Sequence, residues 1–184
     1  MKMPSETTPI KYPPVVTTYR QRYQNMASLD YRRRLAKFAE EALHDPIKGL
    51  EWKNLLDWEH KHFKYTKGKL PKPRAEMPID IILQGKGRCG EFALLYNGLL
   101  LANGYQSRLV VDCSTLQDNP KKVAGDHVWV EILLDNDWVH VDPTEKRISE
   151  PLMYASEWNK DVNLVYALTD NEIVNVTKQY QVQG

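Results

Sequence analysis

The 184-residue sequence predicts an α+β domain in which helices cover one face of an antiparallel β-sheet. Two observations predict this class. Helical periodicity dominates the chain from residue 28 to about residue 104, and short runs with the alternation of β-strands follow it. A change of period from helix to strand at one point of the chain, with no internal repeat, indicates segregated helices and strands rather than alternating βαβ units.

The first half of the chain divides at residue 28. Residues 1–27 hold four prolines and little periodicity, so we expect an extended, partly flexible N-terminal arm. Residues 28–184 are expected to form a single domain. A first helix should begin at Ser28 and end before Pro46, and a second should cover about residues 47–64.

A third helix follows a glycine-rich segment. The run "GKGRCGEFALLYNGLLLANGY", residues 85–105, places Cys89 between glycines at the start of an apolar helix, and Asn103-Gly104 suits its C-terminal end. The predicted strands are "YQSRLVVD", "DHVWVEILL", "DWVHVDP" and "NLVYALT", which begin at residues 105, 126, 137 and 163.

Composition excludes several classes of protein. The chain is 42% hydrophobic and 27% charged with a net charge of +1, which gives no reason to expect a nucleic-acid or membrane partner. It contains no apolar run of membrane-spanning length, and its first residues lack the apolar centre of a secretory signal. Two cysteines without metal-ligand spacing indicate a reducing compartment, so we expect a cytoplasmic protein with no metal and no cofactor.

Residues 61–74 are strongly basic. This stretch holds six Lys or Arg residues and no acidic residue. It fits a surface for an acidic partner or a solvated linker. Charged runs are usually solvated and few aromatic residues are interleaved here, so the sequence favours the linker.

Cys89 is a candidate nucleophile. A helix N-terminus stabilises a thiolate through its unpaired N–H groups and its dipole. Neighbouring glycines would let a substrate backbone approach, and the Cys89 N–H could hold a developing oxyanion. A small buried residue is the alternative interpretation, because a cysteine at a helix start is more often inert than catalytic.

A base and its orienting group are predicted on a hairpin. In "DHVWVEILLDNDWVHVDP", His127 and Asp142 fall on the same face of two antiparallel strands for any turn with an even number of residues. They then lie directly or diagonally opposite each other, as a His–Asp pair requires. His140 shares this face and is a second candidate base, but its hydrophobic neighbours favour a packing role.

At these residues the chain resembles the transglutaminase-like superfamily. The resemblance rests on "GRCGEFALLYNGLLLANGYQSRLVVD" and "DHVWVEILLDNDWVHVDPTE", and residues 50–180 are similar to the catalytic core of cytoplasmic peptide N-glycanases. It implies a papain-like core with a Cys-His-Asp triad. In that triad Cys89 is the nucleophile, His127 the base and then the acid, and Asp142 the residue that orients the imidazole.

The same resemblance suggests further site residues. Trp58 and Gln84 are candidates to complete an oxyanion hole, and Trp129 is a candidate to line the acyl channel. A structural role is the alternative for each of them. Cys113 is expected in a long loop before His127. The sequence favours an incidental loop cysteine over a thiol that resolves a disulfide. Two acidic residues match family positions without a role that the sequence explains: Glu91 and Glu145.

Two departures bear on the substrate. Peptide N-glycanases carry two CxxC pairs that bind zinc upstream of the nucleophile, and residues 1–88 contain no cysteine. The loop of residues 113–125 is also longer than in those enzymes, and we expect it to influence substrate choice.

We therefore expect acyl transfer or hydrolysis at side-chain carboxamides of proteins or peptides, through a thioester on Cys89. The preferred outcome is transglutaminase-type, with glutamine as donor and water or a lysine amine as acceptor. The alternatives are an N-glycanase-type amidase that acts on glycosylated asparagine, and a non-catalytic scaffold that binds a protein through its basic segment.

Overall fold

The computed structural model describes residues 12–115, 123–148 and 163–180, and confirms the predicted α+β class. The helices are α1 (Pro14–Ala27), α2 (Leu29–Glu41), α3 (Trp52–His62), α4 (Pro78–Gln84), α5 (Cys89–Ala102) and α6 (Thr177–Tyr180). The strands are β1 (Lys64–Tyr65), β2 (Lys86–Gly87), β3 (Ser107–Thr115), β4 (Val123–Leu134), β5 (Asp137–Asp142), β6 (Arg147–Ile148), β7 (Asn163–Leu168) and β8 (Ile173–Asn175). Among these residues, no helix has the length and apolar character needed to cross a membrane.

The main sheet is antiparallel throughout its described strands, in the order β6-β5-β4-β3-β7-β8. The β4–β5 hairpin closes through the two-residue turn Asp135-Asn136, whose φ angles of 49° and 68° correspond to a type I′ turn. An even-numbered turn is the condition on which the predicted pairing of His127 with Asp142 depends. A separate parallel pair, β1 with β2, leads into α5.

The expectation of an extended N-terminal arm is wrong for Pro14–Ala27, which forms α1. Val16, Tyr23 and Met26 are buried on one face of this helix. The prolines suggested an extended chain, but proline is favourable at the first position of a helix, where its missing N–H costs nothing. Residues 1–11 lie outside the described part of the chain.

The next two helices are close to their predicted positions. Ser28 caps α2, and its hydroxyl accepts a hydrogen bond from the Tyr31 N–H at 3.2 Å. The second helix is shorter than predicted, because Gly49 takes a left-handed conformation (φ 83°) and α3 begins only at Trp52. The segment just before the glycines forms the short helix α4, which ends at Gln84.

Helix α5 lies at the centre of the molecule. Every residue from Gly90 to Leu101 is buried, including Glu91 and Asn97, so the helix is covered on all sides. Residues of α1, α2, α3 and α4 share its core cluster, together with the β4 residues Val128 and Val130. The nucleophile candidate therefore begins the most deeply buried element of the fold.

The predicted loop of residues 113–125 is strand at both of its ends, over residues 113–115 and 123–125. Strand β3 continues to Thr115, β4 starts at Val123, and Cys113 pairs with Gly125. Cys113 is fully buried, so the structure contradicts its placement in an exposed loop. Residues 116–122, which carry the rest of that prediction, lie outside the described residues.

Candidate active site

Cys89 is the first residue of α5. Arg88, at the N-cap position, is extended, and no side chain caps the helix, so the N–H groups of the first turn have no side-chain partner. The strand pair ahead of it fixes this entry: the Lys64 N–H donates to the Gly85 carbonyl at 3.1 Å, and the Thr66 N–H donates to the Gly87 carbonyl at 2.9 Å. The arrangement holds a partly exposed thiol at the positive end of the helix dipole.

The neighbouring glycines serve packing rather than substrate access. A Cβ at Gly90 would collide with the Tyr19 hydroxyl of α1, and a Cβ at Gly87 would collide with Phe63 and Glu91. The expectation that these glycines admit a substrate backbone is therefore wrong. Burial raises the pKa of Tyr19 to about 12, and the charges of Cys89 and Glu91 add to this, so its hydroxyl stays protonated.

His127 lies between Cys89 and Asp142. Its Nε2–H donates to Asp142 Oδ2 at 2.8 Å, and its side chain is also hydrogen-bonded to Cys89. The β4–β5 register, continued from the Val130–Val141 pair, puts Asp142 diagonally opposite His127. The structure thus brings the three side chains of the predicted triad together.

Asp142 is held in place from its other side. Only 2% of its side chain is exposed, and its Oδ1 accepts a hydrogen bond from the Thr144 N–H at 3.1 Å. One oxygen is thus used to fix the carboxylate, and the other orients the imidazole. A carboxylate that accepts from Nε2–H leaves Nδ1 of His127 directed to the thiol.

Electrostatics at His127 favour its charged form. Burial alone would lower the pKa of the imidazole, but the hydrogen bonds and the negative charges of Asp142 and Cys89 outweigh it and raise the pKa from 6.5 to about 10. The imidazolium is therefore stabilised next to the thiol, which is the arrangement that activates a cysteine by proton transfer to an adjacent base.

This shift predicts a pH dependence of stability. A pKa that is raised in the folded state contributes stability below about pH 6.5, and this contribution is lost as the pH rises toward the raised value. Cys89→Ala removes one of the groups that raise this pKa and leaves Asp142 as the partner of the imidazole. We expect the unfolding free energy of Cys89→Ala, minus that of Cys89→Ala/His127→Gln, to fall as the pH rises above about 6.5 in urea titrations. A difference that is constant or rises with pH would contradict the ion pair.

His127 approaches Cys89 from an unexpected side of the sheet. Helix α5 packs on the face of Val128 and Val130, whereas His127 shares the opposite face with Trp129. A β-bulge at Asp112 and Cys113, directly across from His127, disturbs the ladder at this point, and such bulges commonly redirect a side chain beside a site.

The two oxyanion candidates have other partners. Trp58 is 4% exposed, and its indole N–H donates to the Asp45 carbonyl at 2.9 Å. The Gln84 amide donates to the Lys86 carbonyl at 2.8 Å and to Glu91 Oε2 at 3.3 Å, which uses both of its hydrogens. The side-chain N–H groups of Trp58 and Gln84 therefore have other acceptors in this structure, and their oxyanion role stays a prediction.

Trp129 is a supporting residue rather than a channel wall. It is fully buried, its ring stacks on His127 with centroids 5.7 Å apart, and its N–H donates to the Tyr180 hydroxyl at 3.1 Å. Tyr180 in turn donates to Glu131, and Arg108 Nε binds the same carboxylate at 2.5 Å. This network supports the imidazole from the C-terminal helix.

The structure also gives partners to the two unexplained acids. Glu91 is buried in the first turn of α5, where the guanidinium of Arg74 pairs with both of its oxygens. The basic segment is thus tied to the helix that carries Cys89. Glu145 forms an exposed pair with Arg147 at 2.9 Å, which is worth little to stability.

Sequence reasoning missed the support behind Asp142. His60 of α3 donates from Nε2 to the carbonyl of Pro143 at 2.5 Å, and its ring packs on Phe92 of α5 with centroids 5.0 Å apart. Lys146 binds Asp57 of the same helix at 2.9 Å. Helix α3 therefore holds the turn after Asp142 at two points. The "HKH" segment is visible in the sequence, but only the tertiary structure pairs it with Pro143.

A second buried acid lies near this turn. Glu59 is fully buried; burial raises its pKa well above the usual value, and the charge of Asp142 raises it further. Burial therefore favours the protonated form of Glu59. In the described part of the chain, no three His, Cys, Asp or Glu side chains form a group that could hold a metal ion.

The contact of His60 predicts a positioning effect. His60→Leu removes the donor to Pro143 and keeps an apolar side chain against Phe92, so we expect kcat to fall about tenfold while KM changes little, because the turn that carries Asp142 is less firmly held. His60→Gln keeps an N–H donor and should recover part of the loss. His62→Leu, on the same helix but paired with Asp45, is the control. Equal losses for His60→Leu and His62→Leu would contradict the assignment.

Comparisons with known proteins identify sequence relatives of this chain. The chain is 34% identical over 110 residues to the peptide-N(4)-(N-acetyl-beta-glucosaminyl)asparagine amidase of Arabidopsis thaliana. The aligned region covers 59% of this chain and 14% of that protein. It is 34% identical over 114 residues to the Saccharomyces cerevisiae protein of the same name. That alignment covers 61% of this chain and 28% of the yeast protein. The chain thus matches less than a third of the length of either relative.

The fold comparison gives the same architecture at low identity. The structure of Rad4–Rad23 bound to a 6-4 photoproduct UV lesion aligns with a TM-score of 0.55 and 16% identity, over 90% of this chain and 46% of that one. The model of the transglutaminase-like superfamily matches residues 35–143, from α2 to the residue after Asp142. This match covers more than half of the chain and includes Cys89, His127 and Asp142. The chain therefore belongs to the transglutaminase-like superfamily.

Proposed function

We propose that this protein is a cysteine amidase that cleaves side-chain carboxamides of polypeptides, with Cys89, His127 and Asp142 as its catalytic triad. The observation that carries the proposal is the geometry of His127, which bonds Asp142 through Nε2 and Cys89 through its other side. This is the nucleophile, base and orienting group that acyl transfer requires.

The chemistry follows from these contacts. Cys89 gives its proton to His127, and the thiolate attacks the carbonyl carbon of the amide. The C–S bond forms, and the charge on the oxygen is met by the Cys89 N–H at the start of α5. As the C–N bond breaks, His127 returns the proton to the leaving nitrogen. Water, deprotonated by His127, then attacks the thioester and releases a carboxylate and the thiol.

The finer proposal concerns the substrate. We propose glycosylated asparagine as the donor, because the relatives in Arabidopsis thaliana and Saccharomyces cerevisiae are both named for amidase action on such an asparagine. The glutamine-directed, transglutaminase-type reaction is the second candidate. It is favoured by the departure from the N-glycanase pattern in residues 1–88, which contain no cysteine for the zinc-binding pairs. The two reactions share every step and differ in the pocket.

Mass spectrometry separates these reactions. The protein is incubated in parallel with an N-glycopeptide, a glutamine peptide, and the glutamine peptide with a primary amine. Release of the glycan with conversion of asparagine to aspartate supports the amidase. Conversion of glutamine to glutamate, or incorporation of the amine, supports the second candidate. The absence of every product, with Cys89→Ala as the blank, would contradict both.

Activation of the thiol distinguishes an enzyme from an inert scaffold. Cys113 is buried, so selective alkylation of Cys89 would follow from exposure alone and proves nothing. The informative comparison is the rate at which iodoacetamide alkylates Cys89 at pH 6, in the natural chain and in His127→Ala. We expect His127→Ala to react at least tenfold more slowly. Equal rates would favour a scaffold.

A further inference from the structure

Five cationic side chains lie on β1, on the turn after it and on the segment that leads through β2 to Cys89, and we name them the basic rim: Lys64, Lys67, Lys69, Lys86 and Arg88. Lys64 and Lys86 are direct partners in the β1–β2 pair. Arg88 immediately precedes the nucleophile, and its guanidinium donates to the Gly68 carbonyl at 3.2 Å. This bond attaches the turn of Lys67 and Lys69 to the segment that carries Cys89.

The basic rim is exposed, and the described part of the chain provides it with no ion-pair partner. All four lysines are exposed and Arg88 is half-buried. Within the described residues none of the five forms an ion pair, and Lys64 and Arg88 bind only backbone carbonyls. Two other cations of the basic segment behave differently, since Lys61 pairs with Asp45 and Arg74 with Glu91.

Such a group costs the fold stability. Like charges opposite each other on paired strands repel, as Lys64 and Lys86 do here. The whole chain has a net charge of only +1, so the cations at this position are not part of a general excess. A local positive field at the mouth of a site attracts ligands of opposite charge and raises their rate of association.

We propose that the basic rim binds acidic side chains of the polypeptide substrate, next to the carboxamide that reacts at Cys89. The identity of the reacting residue rests on the proposed function, but the binding does not. A polypeptide is favoured over a nucleic acid because the rim adjoins a group suited to attack amides. Tyr65 is also the only large aromatic residue among the exposed hydrophobic side chains described, whereas single-stranded nucleic acids stack on several.

Fluorescence anisotropy with the full-length Cys89→Ala protein tests this proposal without turnover. The probes are three labelled peptides with one central asparagine flanked by glutamates, serines or lysines. At about 50 mM salt we expect the glutamate peptide to bind at least tenfold more tightly than the serine peptide, with the difference largely lost at about 500 mM salt. Equal affinities for the glutamate and serine peptides would overturn the proposal.

Charge reversal locates the surface. Lys64→Glu/Lys86→Glu should abolish the preference for the glutamate peptide. If this variant fails to fold, Lys67→Glu/Lys69→Glu is used in its place, with the same expected result. The matched control is Lys37→Glu/Lys48→Glu, which makes the same charge change in a groove with Leu101 and Ala102, at the far end of α5. Equal losses for rim and control variants would overturn the proposal.

A third arm tests the other class of polyanion. A labelled single-stranded DNA oligonucleotide that bound more tightly than the glutamate peptide, and through the same lysines, would assign the rim to nucleic acid and overturn the proposal. Binding and reaction are measured separately, because every binding experiment uses Cys89→Ala. If Cys89→Ala prefers the glutamate peptide but the natural chain releases no product in mass spectrometry, the proposed reaction is refuted and the assignment of the basic rim stands.

Discussion

Cys89→Ala and His127→Ala are each expected to lower kcat on the order of 10³-fold or more, with the double variant no worse than either single one. The thiol and the imidazole exchange one proton across the hydrogen bond between them, so the loss of either leaves the other without a function. The measurement is kcat for the three variants with the substrate that mass spectrometry identifies. Losses that multiply in the double variant would show that the residues act independently.

The controls for this prediction are the other cysteine and another partly buried histidine. Cys113→Ala alters a buried residue of β3, and His62→Ala removes a pair with Asp45 on the far side of α3. Both variants lose packing or an ion pair, and both should keep kcat within a few-fold of the natural chain. A large loss of kcat in either would mean that general destabilisation, and not the triad, explains the effect.

Asp142→Asn should lower kcat at least on the order of 10²-fold while the protein stays folded. The asparagine oxygen can still accept from the Thr144 N–H, which places the amide group opposite Nε2 of His127. Nε2 must then accept a hydrogen bond, so the proton moves to Nδ1, where it blocks transfer from Cys89. The loss of negative charge also lowers the pKa of His127, which can be followed by NMR titration.

The molecule supplies a matched control for this change. Asp45 Oδ2 lies 2.7 Å from His62 Nε2, so a second His–Asp pair exists outside the site. Asp45→Asn makes the same chemical change there and should leave kcat unaltered. If Asp142→Asn retains near-normal kcat, the carboxylate has no part in the mechanism; if Asp45→Asn loses as much, the effect is structural.

Short-range pattern was sufficient to predict the elements that carry the triad. Side chains alternate between the two faces of β4 and β5, and an even number of turn residues puts His127 and Asp142 on the same face. The predicted start of a helix after a glycine placed Cys89 at the positive end of the helix dipole. These properties depend on neighbours in sequence or on one hairpin. The α1 helix had a comparable signal in the spacing of Val16, Tyr23 and Met26, but the prolines before it obscured that signal.

The supporting residues were beyond the reach of the sequence. Trp58 and Gln84 are of the right type for an oxyanion hole, but the direction of each N–H depends on rotamers and on partners far along the chain. The bond from His60 to the carbonyl of Pro143 joins residues 83 positions apart, and backbone acceptors leave no trace in composition. Periodicity cannot predict contacts of this kind, since they depend on how helices pack.

Helix α1 has a consequence for where the autonomous folding unit begins. The superfamily model matches from residue 35, yet α1 covers Gly90 with Tyr19, and the Tyr23 hydroxyl donates to the Ser107 carbonyl at 2.5 Å. A fragment begun at Ser28, the predicted boundary, would expose the glycine face of the nucleophile helix to water and leave that carbonyl without its donor. Expression trials and recombination with other family members should therefore treat the helix before the matched core as inseparable from it.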